Sequence, residues 1–360
     1  MLYSSFRALD DRCRRLDAEH CGAAIGRVLS SERSGEQSSS RSTVRHEVVA
    51  ACVELVQPLG LNGTADLIAG ANRETDLADD PRYFAWYELI TTDVAAASAF
   101  YRDVLGWGVQ DGSSSYALFT TGKAPAAGLI ELPDEAIRMG ARPRWMAYVA
   151  VTDVHATVER LRRLGGTVYV PPAETNIGLI SVVADPYAAT FGLVDHRLRV
   201  RPQEPTESGK TGRVGWHELL AADLKKESAF YCELFDWQGS DDISDPAISY
   251  QILSAGGIAF AGAFSKHPNE PVPFWLLHFN VDDLDAAADR VKAAGGRALR
   301  NEQESPGPFS VAHCVDPQGA AFALRGKQNR ARKVGWSTQW QGFSSRGQLV
   351  EPKPRGGSET

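Results

Sequence analysis

Apolar and polar positions change their period within the segment 84–107. Residues 84–91 read FAWYELIT, a short run rich in aromatic and apolar residues, and they predict a β-strand. From Val94 to Leu105 the apolar positions instead follow the helical period, with Asp93 placed as N-cap and Gly106 as the end. The segment therefore predicts a strand followed by an amphipathic helix.

The same order of elements continues along the next ninety residues. Short strands are predicted at 115–121 and 126–132, separated by the turn Gly122–Pro125, and a new strand at 144–151 restarts the cycle. A helix over about 154–164 and strands at 167–170, 178–184 and 189–195 complete it. The order predicted is β-α-β-β-β, twice.

An internal repeat organises the whole chain. Residues 86–107 (WYELITTDVAAASAFYRDVLGW) and 216–237 (WHELLAADLKKESAFYCELFDW) are identical at nine of 22 positions, at an offset of 130 residues. A period this long predicts two homologous domains rather than a solenoid. The boundaries expected are an N-terminal extension at 1–80 that is partly disordered, a first domain at 81–200, a linker at 201–212, a second domain at 213–327 and a flexible tail at 328–360.

Each repeat needs both of its β-α-β-β-β units. One unit alone would expose the apolar face of a short sheet, so that two units are expected to curl their sheets together with the helices outside. We therefore predict an α+β fold in which paired βαβββ modules form a half-open barrel around a small-molecule cavity.

Duplicated short motifs give the chain a family resemblance. The first repeat carries Asp93 followed by the helix motif Phe100-Tyr101 and the end Leu105-Gly106-Trp107, and Asp-Pro turns precede the last strand of both repeats at 185–186 and 316–317. Together these motifs resemble the vicinal oxygen chelate superfamily, which contains glyoxalase I, extradiol dioxygenases, methylmalonyl-CoA epimerase and bleomycin-resistance proteins. The tandem arrangement is similar to two-domain bacterial proteins of the glyoxalase-like or hydroxylase-like type.

The resemblance implies four metal-ligand positions per repeat, where metal-dependent members keep His, Glu or Gln. These positions fall on Trp86 and Trp216, near Glu131 and Ser265, near Met146 and Leu276, and on Gly192 and Ala323. Of these side chains only Glu131 could bind a divalent cation, and a useful first shell needs about three protein ligands. We expect no metal and no other cofactor; the alternative is a divalent metal that is held by residues other than these.

Strand alternation predicts which side chains face each cavity. If Trp86 faces the cavity then so does Glu88, and Tyr148 on the paired strand faces the same cavity near Glu88. In the second repeat the corresponding inward residues are Trp216, Glu218, His278 and Asn280. We expect Glu218 and His278 to form a catalytic acid–base pair, and Trp86, Glu88, Tyr148, Trp216 and Asn280 to bind substrate. The alternative is that these polar groups only satisfy each other's hydrogen bonds.

Composition narrows the class of partner. With 38 basic against 45 acidic residues the chain has a net charge of −7, so that no broad nucleic-acid-binding face is expected. No apolar run reaches about 18 residues, and the charged N-terminus lacks the apolar region of a secretory signal. We expect a cytoplasmic protein with a small-molecule ligand, either a monomer whose domains pair within the chain or a homodimer.

Three functions are compatible with these residues. The first is binding or sequestering of a small organic molecule in apolar, Trp-lined cavities, without a metal. The second is a metal-independent isomerase, lyase or hydroxylase-like enzyme that uses Glu218 and His278. The third is a divalent-metal lyase or dioxygenase. A resemblance in fold cannot decide among them, because function resides in the site.

Overall fold

The computed structural model describes residues 83–113, 116–138, 140–197, 209–242, 250–268, 270–301 and 309–326. The expected N-terminal extension at 1–80, the tail at 328–360 and most of the linker at 201–212 lie outside these residues. The domain boundaries therefore stay predictions.

The first repeat contains eight strands and three helices among its described residues. They run in the order β1 (Phe84–Thr91), α1 (Val94–Leu105), β2 (Gly108–Ser113), β3 (Tyr116–Thr121), β4 (Ala124–Glu131), α2 (Asp134–Arg138), β5 (Arg144–Val151), α3 (Val154–Arg163), β6 (Thr167–Thr175), β7 (Gly178–Ala184) and β8 (Thr190–Asp195). The bounds of β1 and α1 agree with the sequence prediction. No range was predicted for the polar edge strand β2, although the order β-α-β-β-β requires a strand there, and the five-residue helix α2 was not predicted, since neither has an apolar period.

The second repeat follows the same order with one helix fewer in its described part. Its elements are β9 (Val214–Ala221), α4 (Leu224–Phe235), β10 (Gln238–Asp242), β11 (Tyr250–Ala255), β12 (Ile258–Ser265), β13 (Phe274–Val281), α5 (Leu284–Ala293), β14 (Arg297–Asn301), β15 (Ser310–Val315) and β16 (Ala321–Gly326). No helix in the described part of the chain is long and apolar enough to cross a membrane.

Helix α1 begins and ends where the sequence indicates. The Asp93 side chain accepts a hydrogen bond from the backbone N–H of Ala96 at 2.8 Å, which satisfies one of the free donors of the first turn. Gly106 ends the helix in the left-handed conformation, with φ of 71°, which glycine adopts without a Cβ clash. The start and the end of α1 are therefore set by local chemistry.

Each repeat forms one eight-stranded sheet from its two modules. The strand order is β2-β3-β4-β1-β5-β8-β7-β6 in the first and β10-β11-β12-β9-β13-β16-β15-β14 in the second. Strands β1 and β5 are antiparallel and join the modules, with Trp86 opposite Tyr148 and Glu88 opposite Met146. The predicted α+β fold of paired βαβββ modules is confirmed, and the modules pair within each repeat.

The helical faces of the two repeats pack on each other in a shared core. Helix α1 contacts α5 of the other repeat. The Tyr101 hydroxyl donates to Asp316 at 3.1 Å, and the Tyr231 hydroxyl donates to Asp185 at the same distance. The helices lie outside each sheet, as predicted, and their apolar faces are buried in the core that the two repeats share. Both sheets accordingly belong to one compact unit.

Candidate functional site

The concave face of the first repeat is built around the buried carboxyl of Glu88. The Tyr148 hydroxyl donates to it at 2.6 Å, the Tyr116 hydroxyl at 3.0 Å, and Trp86 Nε1 lies 3.4 Å from the same carboxyl. Burial raises the pKa of Glu88, and the three donors oppose that rise without overcoming it. The first repeat therefore holds a carboxyl group clamped by two phenols, as the register of β1 and β5 predicted for Glu88 and Tyr148.

Glycines make room for these phenols. A Cβ added at Gly192 would collide with the ring of Tyr148, and one added at Gly128 would collide with the Tyr116 side chain. Strand pairing explains the first case, because Gly192 lies opposite Tyr148 on the parallel neighbour β8. The two glycines thus belong to the site, because a side chain at either position would occupy the space of a tyrosine side chain.

The second repeat replaces one phenol with an imidazole. Glu218 Oε2 lies 3.0 Å from His278 Nε2, and the Tyr250 hydroxyl donates to Glu218 Oε1 at 3.0 Å. His313 Nε2 lies 4.0 Å from Glu218 Oε2. Trp216 Nε1 donates to the Tyr250 hydroxyl at 3.0 Å. The predicted Glu218–His278 pair is present; its catalytic role stays a prediction.

The charges on this pair follow from burial and contact. Burial alone would raise the pKa of Glu218, but His278 and His313 lower it well below its usual range. Burial lowers the pKa of His278, and this outweighs the opposing effect of Glu218. At neutral pH the pair is accordingly a carboxylate and a neutral imidazole whose Nε2–H donates to it. His278 Nδ1 is then an acceptor, and it is buried without a hydrogen-bond partner among the described residues.

A cation lies beside the pair in the second repeat. The Arg325 guanidinium lies over two aromatic rings. Its distance is 4.0 Å to the ring centroid of Phe309 and 5.6 Å to that of Trp216. It also donates to the carbonyl of Gly215. Burial lowers the pKa of Arg325, and the nearby Tyr250 and Glu218 oppose that effect. Arg325 therefore brings a positive charge to the edge of the Glu218 site.

The two repeats differ at three equivalent positions on this face. His278 corresponds to Tyr148 at the 130-residue offset. His313 and Arg325 correspond to residues 182 and 194, both valine, at the offset of 131 residues that also relates the two Asp-Pro turns. At these three positions the second repeat therefore carries imidazole and guanidinium groups, whereas the first repeat carries a phenol and two aliphatic side chains.

The metal positions implied by the family resemblance do not fit a metal in this structure. The space beside Gly192 is filled by the ring of Tyr148. Glu131 is exposed at the end of β4, three residues further along the strand than Gly128, the residue that lies opposite Glu88. Within the described ranges no group of three or more His, Cys, Asp or Glu side chains could hold a metal ion. Metal independence itself remains a prediction.

The predicted substrate-binding residues differ in accessibility. Trp86 and Tyr148 are each 2% exposed, whereas Trp216 is half-buried. Asn280 lies toward the end of β13, and its amide donates to the Lys210 carbonyl at 3.3 Å. Asn280 thereby contacts the segment before β9, and its substrate-binding role, like the Trp-lined cavities, remains a prediction.

Four residues of the two sites were not identified from the sequence. Tyr116 and Tyr250 match each other at an offset of 134 residues, each twelve residues before a glycine, and this match alone does not indicate their role. His313 and Arg325 were missed because their place depends on strand pairing: β16 places Ala323 beside both His278 and His313, and Arg325 beside Asn280. A correct register for β15 and β16 would have found both.

Comparisons with known proteins agree with this architecture. A family model described as Glyoxalase/Bleomycin resistance protein/Dioxygenase superfamily matches residues 83–192 and 213–324. CFP32 of Mycobacterium tuberculosis (strain CDC 1551 / Oshkosh), provisionally named a glyoxylase, is 32% identical over 246 residues, covering 66% of this chain and 92% of CFP32. The anthracycline biosynthesis protein DnrV of Streptomyces peucetius is 33% identical over 131 residues, which are 36% of this chain and 46% of DnrV.

Among solved structures, a Mn(II)-bound glyoxalase from Novosphingobium aromaticivorans has the same fold. It aligns with a TM-score of 0.51 and 14% identity, and the alignment covers 72% of this chain and 84% of the glyoxalase. At this level of identity the similarity concerns the fold alone.

Proposed function

The chain belongs to the Glyoxalase/Bleomycin resistance protein/Dioxygenase superfamily, and from that premise we propose that its second repeat binds a small organic carbonyl compound and transfers a proton on it without a metal ion. In this proposal Glu218 and His278 are the catalytic pair. Trp216 contributes an apolar wall, and the first repeat has a supporting, structural role.

The observation that carries this proposal is the difference between the repeats. Burying ionisable groups is costly, and Tyr148 in the first repeat shows that the fold does not need an imidazole at this position. The second repeat nevertheless buries Glu218, His278 and His313 together. Groups that the scaffold can replace but that one repeat keeps are candidates for chemistry.

The geometry supports a specific direction of proton transfer. With Nε2–H donating to Glu218, the lone pair of His278 Nδ1 is available to accept a proton from a carbon next to a carbonyl group. The C–H bond breaks, its electron pair moves onto the carbonyl oxygen, and the Glu218 carboxylate stabilises the imidazolium that forms. Arg325 supplies positive charge beside the site for the developing oxyanion. Return of the proton to a neighbouring atom completes an isomerisation, and loss of a β-substituent gives a lyase reaction.

The names of the relatives support a small organic ligand. CFP32 is named for glyoxylase activity and DnrV for anthracycline biosynthesis. Neither name specifies a substrate for this chain, so the proposal is limited to the chemical class that the site can process.

Hydrogen–deuterium exchange tests the proposal directly. The full chain, dialysed against EDTA, is incubated in D₂O with a panel of α-hydroxy ketones and aryl ketones, and exchange at the carbon next to the carbonyl is followed by NMR. We expect His278→Ala to slow that exchange by at least about a hundredfold, the usual contribution of a general base. His155→Ala, which removes an exposed histidine of α3, is the matched control and should leave the rate unchanged.

Two results would refute this mechanism. One is exchange that persists at the wild-type rate in His278→Ala, and the other is exchange that disappears on dialysis against EDTA and returns with a divalent metal.

Binding without turnover is the second candidate, and the burial of the pair favours it. The side chains of Glu218 and His278 are 6% and 1% exposed, so a ligand reaches them only if neighbouring side chains move. Under this alternative a ketone from the panel binds in calorimetry, shows no exchange and is recovered unaltered.

A further inference from the structure

A cavity of about 250 Å³ lies between the two repeats, away from the Glu218–His278 pair. Its walls come from the starts of the equivalent strands β5 and β13, and the turns before β8 and β16 contribute to the lining. The cavity has no part in the function proposed above, because neither Glu218 nor His278 lines it.

The two walls come from equivalent segments but differ in chemistry. The first repeat contributes Arg142 and Arg144, and the equivalent positions of the second repeat at the 130-residue offset are Val272 and Phe274. Both segments also contribute a proline and a largely buried tryptophan; the tryptophans are Trp145 and Trp275, 7% and 6% exposed. The result is a cavity with a cationic side and an apolar, aromatic side.

One carboxyl group lines the same cavity. Glu270 is 3% exposed, and burial raises its pKa to about 8, against the lowering effect of Lys266. A carboxyl that is protonated at neutral pH carries no negative charge that would repel an anion, and it can donate a hydrogen bond. The charge on the lining at pH 7 is therefore set by Arg142 and Arg144.

We propose that this cavity binds a small aromatic carboxylate. Guanidinium groups pair with carboxylates through charge-assisted hydrogen bonds, often in a bidentate arrangement. An aromatic ring attached to the carboxylate would pack against Phe274 and the neighbouring tryptophans, where burial and edge contacts favour it. Since the cavity joins the two repeats, the bound acid also links them and stabilises the folded chain.

Calorimetric titration with benzoate tests the proposal, with benzamide as a neutral molecule of the same shape. We expect benzoate to bind with one site per chain and benzamide to bind at least about tenfold more weakly. Arg144→Gln should weaken benzoate binding by at least about tenfold and should leave benzamide unaffected. Arg163→Gln, an exposed arginine at the end of α3, is the matched control and should bind benzoate like the wild type.

Other variants separate this cavity from the second-repeat site. Phe274→Ala should weaken benzoate and benzamide together, and His278→Ala should change neither. If Arg144→Gln fails to fold by circular dichroism, the exposed Arg142 is replaced instead, and its loss should also weaken benzoate. Equal binding of benzoate and benzamide, unchanged benzoate binding in both arginine variants, or loss of benzoate binding in His278→Ala alone would overturn the proposal.

Discussion

Replacing Glu227 with glutamine should make the protein more resistant to rising pH. Glu227 lies fully buried on α4, where its Oε1 accepts hydrogen bonds from the backbone N–H groups of Ala222 at 2.6 Å and Asp223 at 2.8 Å. The Asp185 carboxyl lies near the Glu227 side chain. It accepts a hydrogen bond from the hydroxyl of Tyr231, which is on α4 together with Glu227. Burial raises the pKa of Glu227 to about 8 from its ordinary 4.5, and Asp185 adds to that rise.

The size of the effect follows from proton linkage. Because the folded protein holds this proton more tightly than the unfolded chain, its stabilisation is complete below about pH 4.5 and is lost as the pH rises to about 8. Each pH unit between those values removes about 1.4 kcal/mol, so about 3 kcal/mol is lost between pH 5 and pH 7. The glutamine side chain keeps an oxygen that can accept from the two backbone N–H groups. Its NH₂ group takes the place of the O–H group of the protonated carboxyl, and the amide does not titrate.

Urea unfolding at pH 5, 6, 7 and 8 measures the difference. The free energy of unfolding of Glu227→Gln minus that of the wild type should rise steadily across this series, by about 3 kcal/mol between pH 5 and pH 7. Glu233→Gln, an exposed glutamate on the same helix, is the control and should follow the wild type. A difference between Glu227→Gln and wild type that does not change with pH would refute the linkage argument.

Three further predictions concern the concave faces and the metal question. Tyr148→Phe removes a donor to buried Glu88 and should lower the free energy of unfolding by about 1–3 kcal/mol in urea titrations; an unchanged midpoint would argue against the bond. Gly192→Ala places a methyl group against the Tyr148 ring and should cost about 1–3 kcal/mol, most of which a second change, Tyr148→Ala, should relieve in a double-mutant cycle. Dialysis against EDTA should leave the unfolding midpoint unchanged, and near-stoichiometric Fe, Zn, Mn or Ni in elemental analysis would contradict this expectation.

Much of the local structure was predictable because its causes are local. The strand β1 and helix α1 follow from period and from the caps Asp93 and Gly106, which act over a few residues. The 130-residue repeat then transfers the same elements to the second half of the chain. Period-two alternation placed Glu88 with Tyr148 and Glu218 with His278, since the pairing of the first strands of two modules brings those positions together.

The assembly of the second-repeat site was not predictable in full, because it depends on pairing between distant strands. His313 and Arg325 lie on β15 and β16, and only the register of these strands places them on the same face as His278. The titration of the pairs also depends on tertiary structure. Glu88 and Glu218 occupy equivalent sequence positions, yet the pKa of the first is raised and that of the second lowered, because different side chains surround them.

The sequence by itself determined most of the elements, the duplication and the family, since periodicity, caps and repeated motifs are properties of neighbouring residues. Only the tertiary structure decided that Tyr101 and Tyr231 bind the Asp-Pro turns of the opposite repeat, and that the two helical faces form one core. It also decided that a cavity with arginines on one side and aromatic rings on the other lies between the repeats. The physical reason is that these contacts join residues far apart in the chain, and no local pattern specifies which distant surface a side chain will meet.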